Sequence, residues 1–187
     1  MKLRVSGFAN DSIVDGTGIR LTVFTQGCPH NCPGCHNPQT HSYNGGTLYE
    51  VDDIVEMFKK NPLLSGITIS GGEPFRQSEA CAELAKKIHD LNKSVWCYTG
   101  YIYENLLNSF RADYLSLLNN IDVLVDGPFV ESLKSPEIRF VGSSNQRIIN
   151  VPESLHSGTV VELHETDCSP DFSPRSNLLS HIESDMI

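Results

Sequence analysis

Four short apolar runs, each ending in a loop built on glycine or proline, constrain what this chain can fold into more than any other feature. They are Ile19–Thr25, Ile67–Ser70, Ser94–Thr99 and Ile121–Val125. The loops that follow are Gln26-Gly27-Cys28, Gly71-Gly72-Glu73-Pro74, Gly100-Tyr101 and Asp126-Gly127-Pro128. Runs this short, bounded by turn formers, predict strands rather than helices. Between them the apolar period changes to that of a helix. Val51, Ile54, Val55 and Phe58 share one face of a helix that Pro62 stops, and Cys81, Leu84, Ala85, Ile88 and Leu91 form a second stripe. A third helix is predicted over Glu104–Leu118. Strand–helix alternation implies an α/β fold with a parallel sheet. A closed eight-unit barrel needs about 250 residues, and the chain has 187. The expectation is therefore an open, partial (β/α) barrel of about five to six parallel strands, with Ile19–Thr25 as the first.

Residues 1–155 read as one domain and 156–187 as a C-terminal extension, in which Thr159–Leu163 adds one strand. The last twenty residues, with a Ser-, Pro- and Asp-rich stretch from Asp167 to Ser176, read as a flexible surface tail. A net charge of −9 argues against a nucleic-acid partner. No apolar run approaches a membrane span, and the opening MKLRVSGFANDS lacks the apolar core of a signal peptide. A cytoplasmic chain with no membrane or nucleic-acid partner is expected.

Chemistry enters with the cysteines. Cys28, Cys32 and Cys35 crowd into one Gly/Pro-rich loop, whereas Cys81 and Cys97 sit in apolar-patterned segments and read as core. Cys168 stands in the polar tail with no evident role. A structural zinc site closes its shell with four ligands, while a metal that does chemistry keeps a position open. Three soft thiolates suit an iron–sulfur cluster with one iron left for a small molecule. A Cys3His zinc site using His30 or His36 is the competing arrangement, although both histidines read more simply as polar residues of a surface loop. A non-catalytic zinc or redox-sensing module is the corresponding alternative function.

In parallel βα architectures the loops at the carboxyl ends of the strands form the active face. The four loops named above should thus open onto one rim. Gly71-Gly72 would let backbone approach a ligand closely, or would simply make a tight turn. Glu73 is expected to brace its loop rather than to act as acid or base. Asp126, at a strand end, should project from the rim toward a ribose hydroxyl or a cation, unless it only initiates the turn.

Cys28-x3-Cys32-x2-Cys35 after one strand and Gly71-Gly72-Glu73-Pro74 after the next resemble the radical S-adenosylmethionine superfamily. VDGTGIRLTVFTQGCPHNCPGCHNPQT is similar to the opening of the glycyl-radical-enzyme activating proteins. VWCYTGYIYENL, IDVLVDGPFVESLK and RFVGSSNQRIINV resemble the activases that serve the anaerobic (class III) ribonucleoside-triphosphate reductase. The likeness spans residues 5–151; position 17 is Thr where the family carries Pro, and some thirty-five residues follow the matched region. The resemblance implies that Cys28, Cys32 and Cys35 hold a 4Fe-4S cluster and carry the catalysis through it. It also implies that Gly34, Cys35, His36, Gly71, Gly72 and Glu73 bind S-adenosyl-L-methionine. Reductive cleavage to methionine and a 5′-deoxyadenosyl radical would place a glycyl radical on the reductase, with the electron coming from a reduced flavodoxin-like carrier. An activase for another glycyl-radical enzyme, of the pyruvate formate-lyase type, is the sister reading; GSSNQRII favours the reductase.

Overall fold

The structure, a computed structural model, describes residues 1–168. Strands β1 (Lys2–Ser12), β2 (Arg20–Thr25), β3 (Thr47–Glu50), β4 (Gly66–Gly71), β5 (Ser94–Tyr98), β6 (Val123–Asp126) and β7 (Arg147–Asn150) form one sheet. Their order is β3-β1-β2-β4-β5-β6-β7. Helices α1 (Val51–Lys59), α2 (Ser78–His89), α3 (Tyr103–Leu107), α4 (Ala112–Leu118) and α5 (Val151–Ser157) connect or follow them.

The mixed α/β class holds, and two details of the expectation are corrected. The parallel block is four strands, β2, β4, β5 and β6, rather than five to six. Strands β1, β3 and β7 join it antiparallel, so both edges are antiparallel. The cysteine loop accordingly follows the second strand. Strand β1 escapes a periodicity reading because Gly7, Asn10 and Asp11 interrupt it, and its register against β2 shifts twice, between Val5 and Gly7 and between Ala9 and Ser12. Bulges absorb such residues where a pattern reading sees turns. The predicted third helix is two, α3 and α4, because Phe110 takes a positive φ of 53° between them.

Each strand of the parallel block sends alternate side chains to opposite faces. Ile67, Ile69, Val95, Cys97 and Leu124 join Ile54, Phe58, Leu84, Ala85 and Ile88 of the helices in the main core. The other face carries Trp96, Val123, Val125 and Ile148, covered by Phe140 and Cys168. Cys81 and Cys97 are core residues as expected, and Cys168 is packed rather than idle. Thr159–Leu163 contributes only a single bridge, Glu162 to Ile149, instead of a full strand. The remaining tail residues, 169–187, lie outside the described residues. Ile67 is fully buried at the centre of the sheet, so Ile67→Ala is expected to cost about 2–5 kcal/mol. Urea unfolding should show this as a lower midpoint with an unchanged slope.

Behind the opposite end of the block, Arg20 is fully buried and pinned. It donates to Thr68 Oγ1 (2.7 Å), to the carbonyls of Thr17, Ile67 and Ser94, and to Ser94 Oγ. Burial pulls the guanidinium pKa down, and these acceptors hold its charged form. The turn through Thr17 is thereby stiffened from outside itself.

Candidate functional site

The loops after β2, β4, β5 and β6 do converge. Cys28, Cys32, Cys35, Gly71, Gly72, Tyr98, Thr99, Gly100, Gly127 and Phe129 line one open cavity of about 700 Å³ at the carboxyl end of the parallel strands. The far wall is the long connection from β6 to β7, which contributes Ile138, Phe140 and Gly142 among others.

Cys28, Cys32 and Cys35 are each partly exposed, and each lines this cavity. Backbone N–H groups of the loop reach two of the three sulfurs. The Asn37 N–H donates to Cys35 Sγ at 3.4 Å, and backbone N–H groups of His30 and Asn31 favour the Cys28 thiolate. Burial outweighs them and pushes the Cys28 thiol up, with the Glu73 and Cys32 charges adding to it. A metal must therefore displace a proton there, which is how thiolate ligation couples to pH. Among the described residues no three His, Cys, Asp or Glu side chains converge around one point as the ligands of a single ion do. Three thiolates that each take a different iron of a cluster need no such point. The donor set, its N–H···S bonds and its open surroundings thus fit a three-cysteine cluster.

Gly71 and Gly72 could not be otherwise. Gly71 has φ +95°, and a Cβ there would lie 2.6 Å from Phe24 Cα; one on Gly72 would lie 2.5 Å from the Gly27 carbonyl oxygen. The N–H groups of Gly72 and Glu73 donate to Thr25 O and Gly27 O, locking this turn against the start of the cysteine loop. Both glycines face the cavity with bare backbone.

Of the other expected site residues, His36 lines the cavity and packs against Phe129 (ring centroids 4.8 Å apart). Gly34, at φ +69°, turns toward Glu131 and is not part of the lining. Glu73 is fully buried behind the wall. Its carboxylate accepts from Phe75 N, Gly100 N, Thr99 Oγ1 and His30 Nε2, the brace that was expected.

Asp126 corrects the expectation outright. Its carboxylate does not project from the rim; it is fully buried. It accepts from Tyr103 N (2.8 Å) and from Arg147 through Nε and Nη2. Arg147 in turn grips Glu104 with Nη1 and Nη2, at 3.0 and 2.7 Å. A strand-end aspartate with an arginine one neighbouring strand away is bonded internally, at both of its oxygens. Three residues carry more than the sequence disclosed. His30, read as a surface histidine, bonds Glu73 at 2.7 Å. Thr99 donates to the same carboxylate. Gln146 pins its loop by accepting from Gly142 N and Ser143 N and donating to Gly127 O. Only the buried Glu73, in need of donors, could have signalled His30 and Thr99 in advance.

Known proteins bear on this geometry. The model of a 4Fe-4S single cluster domain matches residues 14–149. Three relatives carry the name anaerobic ribonucleoside-triphosphate reductase-activating protein. The Salmonella typhi protein is 38% identical over 142 residues, 72% of this chain and 90% of the relative. The Escherichia coli K12 protein is 36% identical over 143 residues, with the same two shares. The protein of Enterobacteria phage T4 is 30% identical over 141 residues, 72% of this chain and 86% of the relative.

Proposed function

Because the chain belongs to the family of anaerobic ribonucleoside-triphosphate reductase-activating proteins, we propose that it activates that reductase by leaving a glycyl radical on it. The reaction in this reading is reductive cleavage of S-adenosylmethionine at a 4Fe-4S cluster. One observation carries the proposal. Three thiolates of a single loop and the bare Gly71-Gly72 backbone line the same cavity.

In this reading Cys28, Cys32 and Cys35 hold the cluster. The bound cluster supplies one electron and an iron position open to a small chelating ligand. Everything else is done by the chain. The Gly72 carbonyl takes no hydrogen bond from the described residues, so it is available to accept from the ammonium group of S-adenosylmethionine. His36 and Phe129 supply an apolar-edged wall, and the β6–β7 connection narrows access for water and stray hydrogen donors. Gly34 and Glu73 act behind the lining: Gly34 lets the cysteine loop turn tightly beside Glu131, and Glu73 fixes the glycine turn. Residues 1–155 are the working unit, curved as an open radical S-adenosylmethionine barrel, and 156–187 are an extension of it. A reduced flavodoxin-like protein delivers the electron. No helix among the described residues is long and apolar enough to cross a membrane.

The test is anaerobic reconstitution with iron and sulfide, then reduction with S-adenosylmethionine and the reductase present. Brown protein, 5′-deoxyadenosine and a glycyl-radical doublet in the paramagnetic resonance spectrum are expected. Colourless protein, or reduced protein that yields no 5′-deoxyadenosine, would sink the reading.

A further inference from the structure

We propose that His30 is a positioning residue that sets the affinity for S-adenosylmethionine by tying the cysteine loop to the glycine turn. The inference rests on the function proposed above and goes beyond it by giving a role to a side chain that ligates nothing.

His30 lies between Cys28 and Cys32, and its Nε2 stands 2.7 Å from Glu73 Oε2. Glu73 is fully buried and accepts at both oxygens. Oε1 takes the Phe75 N–H at 3.0 Å, Oε2 takes the Gly100 N–H at 3.0 Å, and the Thr99 hydroxyl is shared between the two. Phe75 N, Gly100 N and the Thr99 hydroxyl are all donors to this carboxylate, and His30 Nε2 completes the set as its fourth partner. One carboxylate in this way joins three of the rim loops: the cysteine loop through His30, its own glycine turn, and the loop after β5 through Thr99 and Gly100. His30 is also clamped as a ring. Its centroid lies 4.5 Å from that of Tyr101 in an edge arrangement, and a Cβ at Gly100 would come within 2.5 Å of the imidazole. A surface histidine would have no need of a glycine beside it.

The consequence is mechanical. If the thiolates fix the cluster and Gly71-Gly72 fix the ligand's ammonium end, the distance between cluster and ligand is the distance between two loops. Backbone bonds to Thr25 O and Gly27 O hold the turn to the start of the cysteine loop, and His30–Glu73 is the side-chain bond that holds it beyond Cys28. Outer contacts of this sort orient the groups that touch a metal site and are felt strongly in binding.

The test compares His30→Phe, which keeps a ring against Tyr101 but offers no N–H, with His30→Gln, which keeps a donor. Both are reconstituted anaerobically beside the parent chain. Iron content should match the parent in both. In His30→Phe the KM for S-adenosylmethionine should rise roughly tenfold, as expected for losing one hydrogen bond to a buried charge, while kcat stays within about twofold. The change that S-adenosylmethionine causes in the resonance spectrum of the reduced cluster should require correspondingly more ligand. His30→Gln should recover most of the affinity. An unchanged KM in His30→Phe, loss of iron from it, or a His30→Gln variant no better than it overturns the role of His30. A parent chain that takes up no cluster or cleaves no S-adenosylmethionine overturns the function itself, and this proposal with it.

Discussion

Cys32→Ala is expected to abolish 5′-deoxyadenosine formation and glycyl-radical transfer while leaving the metal-free fold nearly untouched. The Cys32 side chain is partly exposed at the cavity and packs in neither hydrophobic cluster. Removing its sulfur from the metal-free chain should therefore shift stability by no more than about 0.5 kcal/mol. If the proposed ligand set is right, the same change takes away one of its three thiolates, and two thiolates cannot hold the cluster in place. The informative contrast is Cys81→Ser. Cys81 is fully buried, and burial, with the Glu73 charge adding to it, pushes its thiol well up. A hydroxyl there finds no solvent and should cost about 1–3 kcal/mol, yet the iron content should stay at the parent's value. Iron analysis and thermal melting of both variants separate the two kinds of cysteine cleanly. Equal iron loss in both would mean that the ligand set has been wrongly drawn.

The burial of Cys81 and Cys97 was readable before any coordinates, and the reason is physical. Core cysteines fall in the apolar rhythm of a helix or strand, and Cys81 and Cys97 do so in α2 and β5. The parallel block was readable for the same cause, since β2, β4, β5 and β6 are apolar runs cut off by turn formers. The edges were not. Strand β1 is long but bulged, and β3 is four residues, three of them well exposed, so neither presents the alternation that announces a strand. Nor could single-residue reasoning assign Asp126 or His30, because what a polar side chain does depends on which partner the sheet order brings beside it. Asp126 meets Arg147 only because β7 runs antiparallel to β6, with the two residues in register. His30 meets Glu73 only because two loops separated by more than forty positions close on each other.

Arg147→Met is the substitution expected to damage the fold most through electrostatics, by about 3–5 kcal/mol. Asp126 is 0% exposed, and without the guanidinium its carboxylate keeps only the Tyr103 N–H. An unpaired buried charge costs far more than the pair is worth as a whole. The fork geometry matters too, since Arg147 serves two carboxylates at once and Arg147→Lys offers only a point charge. Arg147→Lys should thus fall between parent and Met. The double variant Asp126→Asn with Arg147→Met should recover a good part of the loss, because no buried charge is then left over. The pH dependence has a definite sign. The hydrogen bond to Arg147 holds the Glu104 carboxyl below its ordinary range, and the same carboxylates raise the guanidinium further. A depressed carboxyl contributes stability above its unfolded pKa and loses it as pH falls through its folded one. The deficit of Arg147→Met relative to parent should therefore be full at neutral pH and shrink in acid, below the usual carboxylate range. The damage should also reach the site, since Gly127 and Gln146, the neighbours of the pair, both line the cavity. Urea unfolding at neutral and acid pH, with iron uptake measured on the same samples, reads both effects. An Arg147→Met variant as stable as the parent at neutral pH would show that solvent or another group satisfies Asp126, and the pair would then be a surface ornament rather than the clasp between α3, β6 and β7.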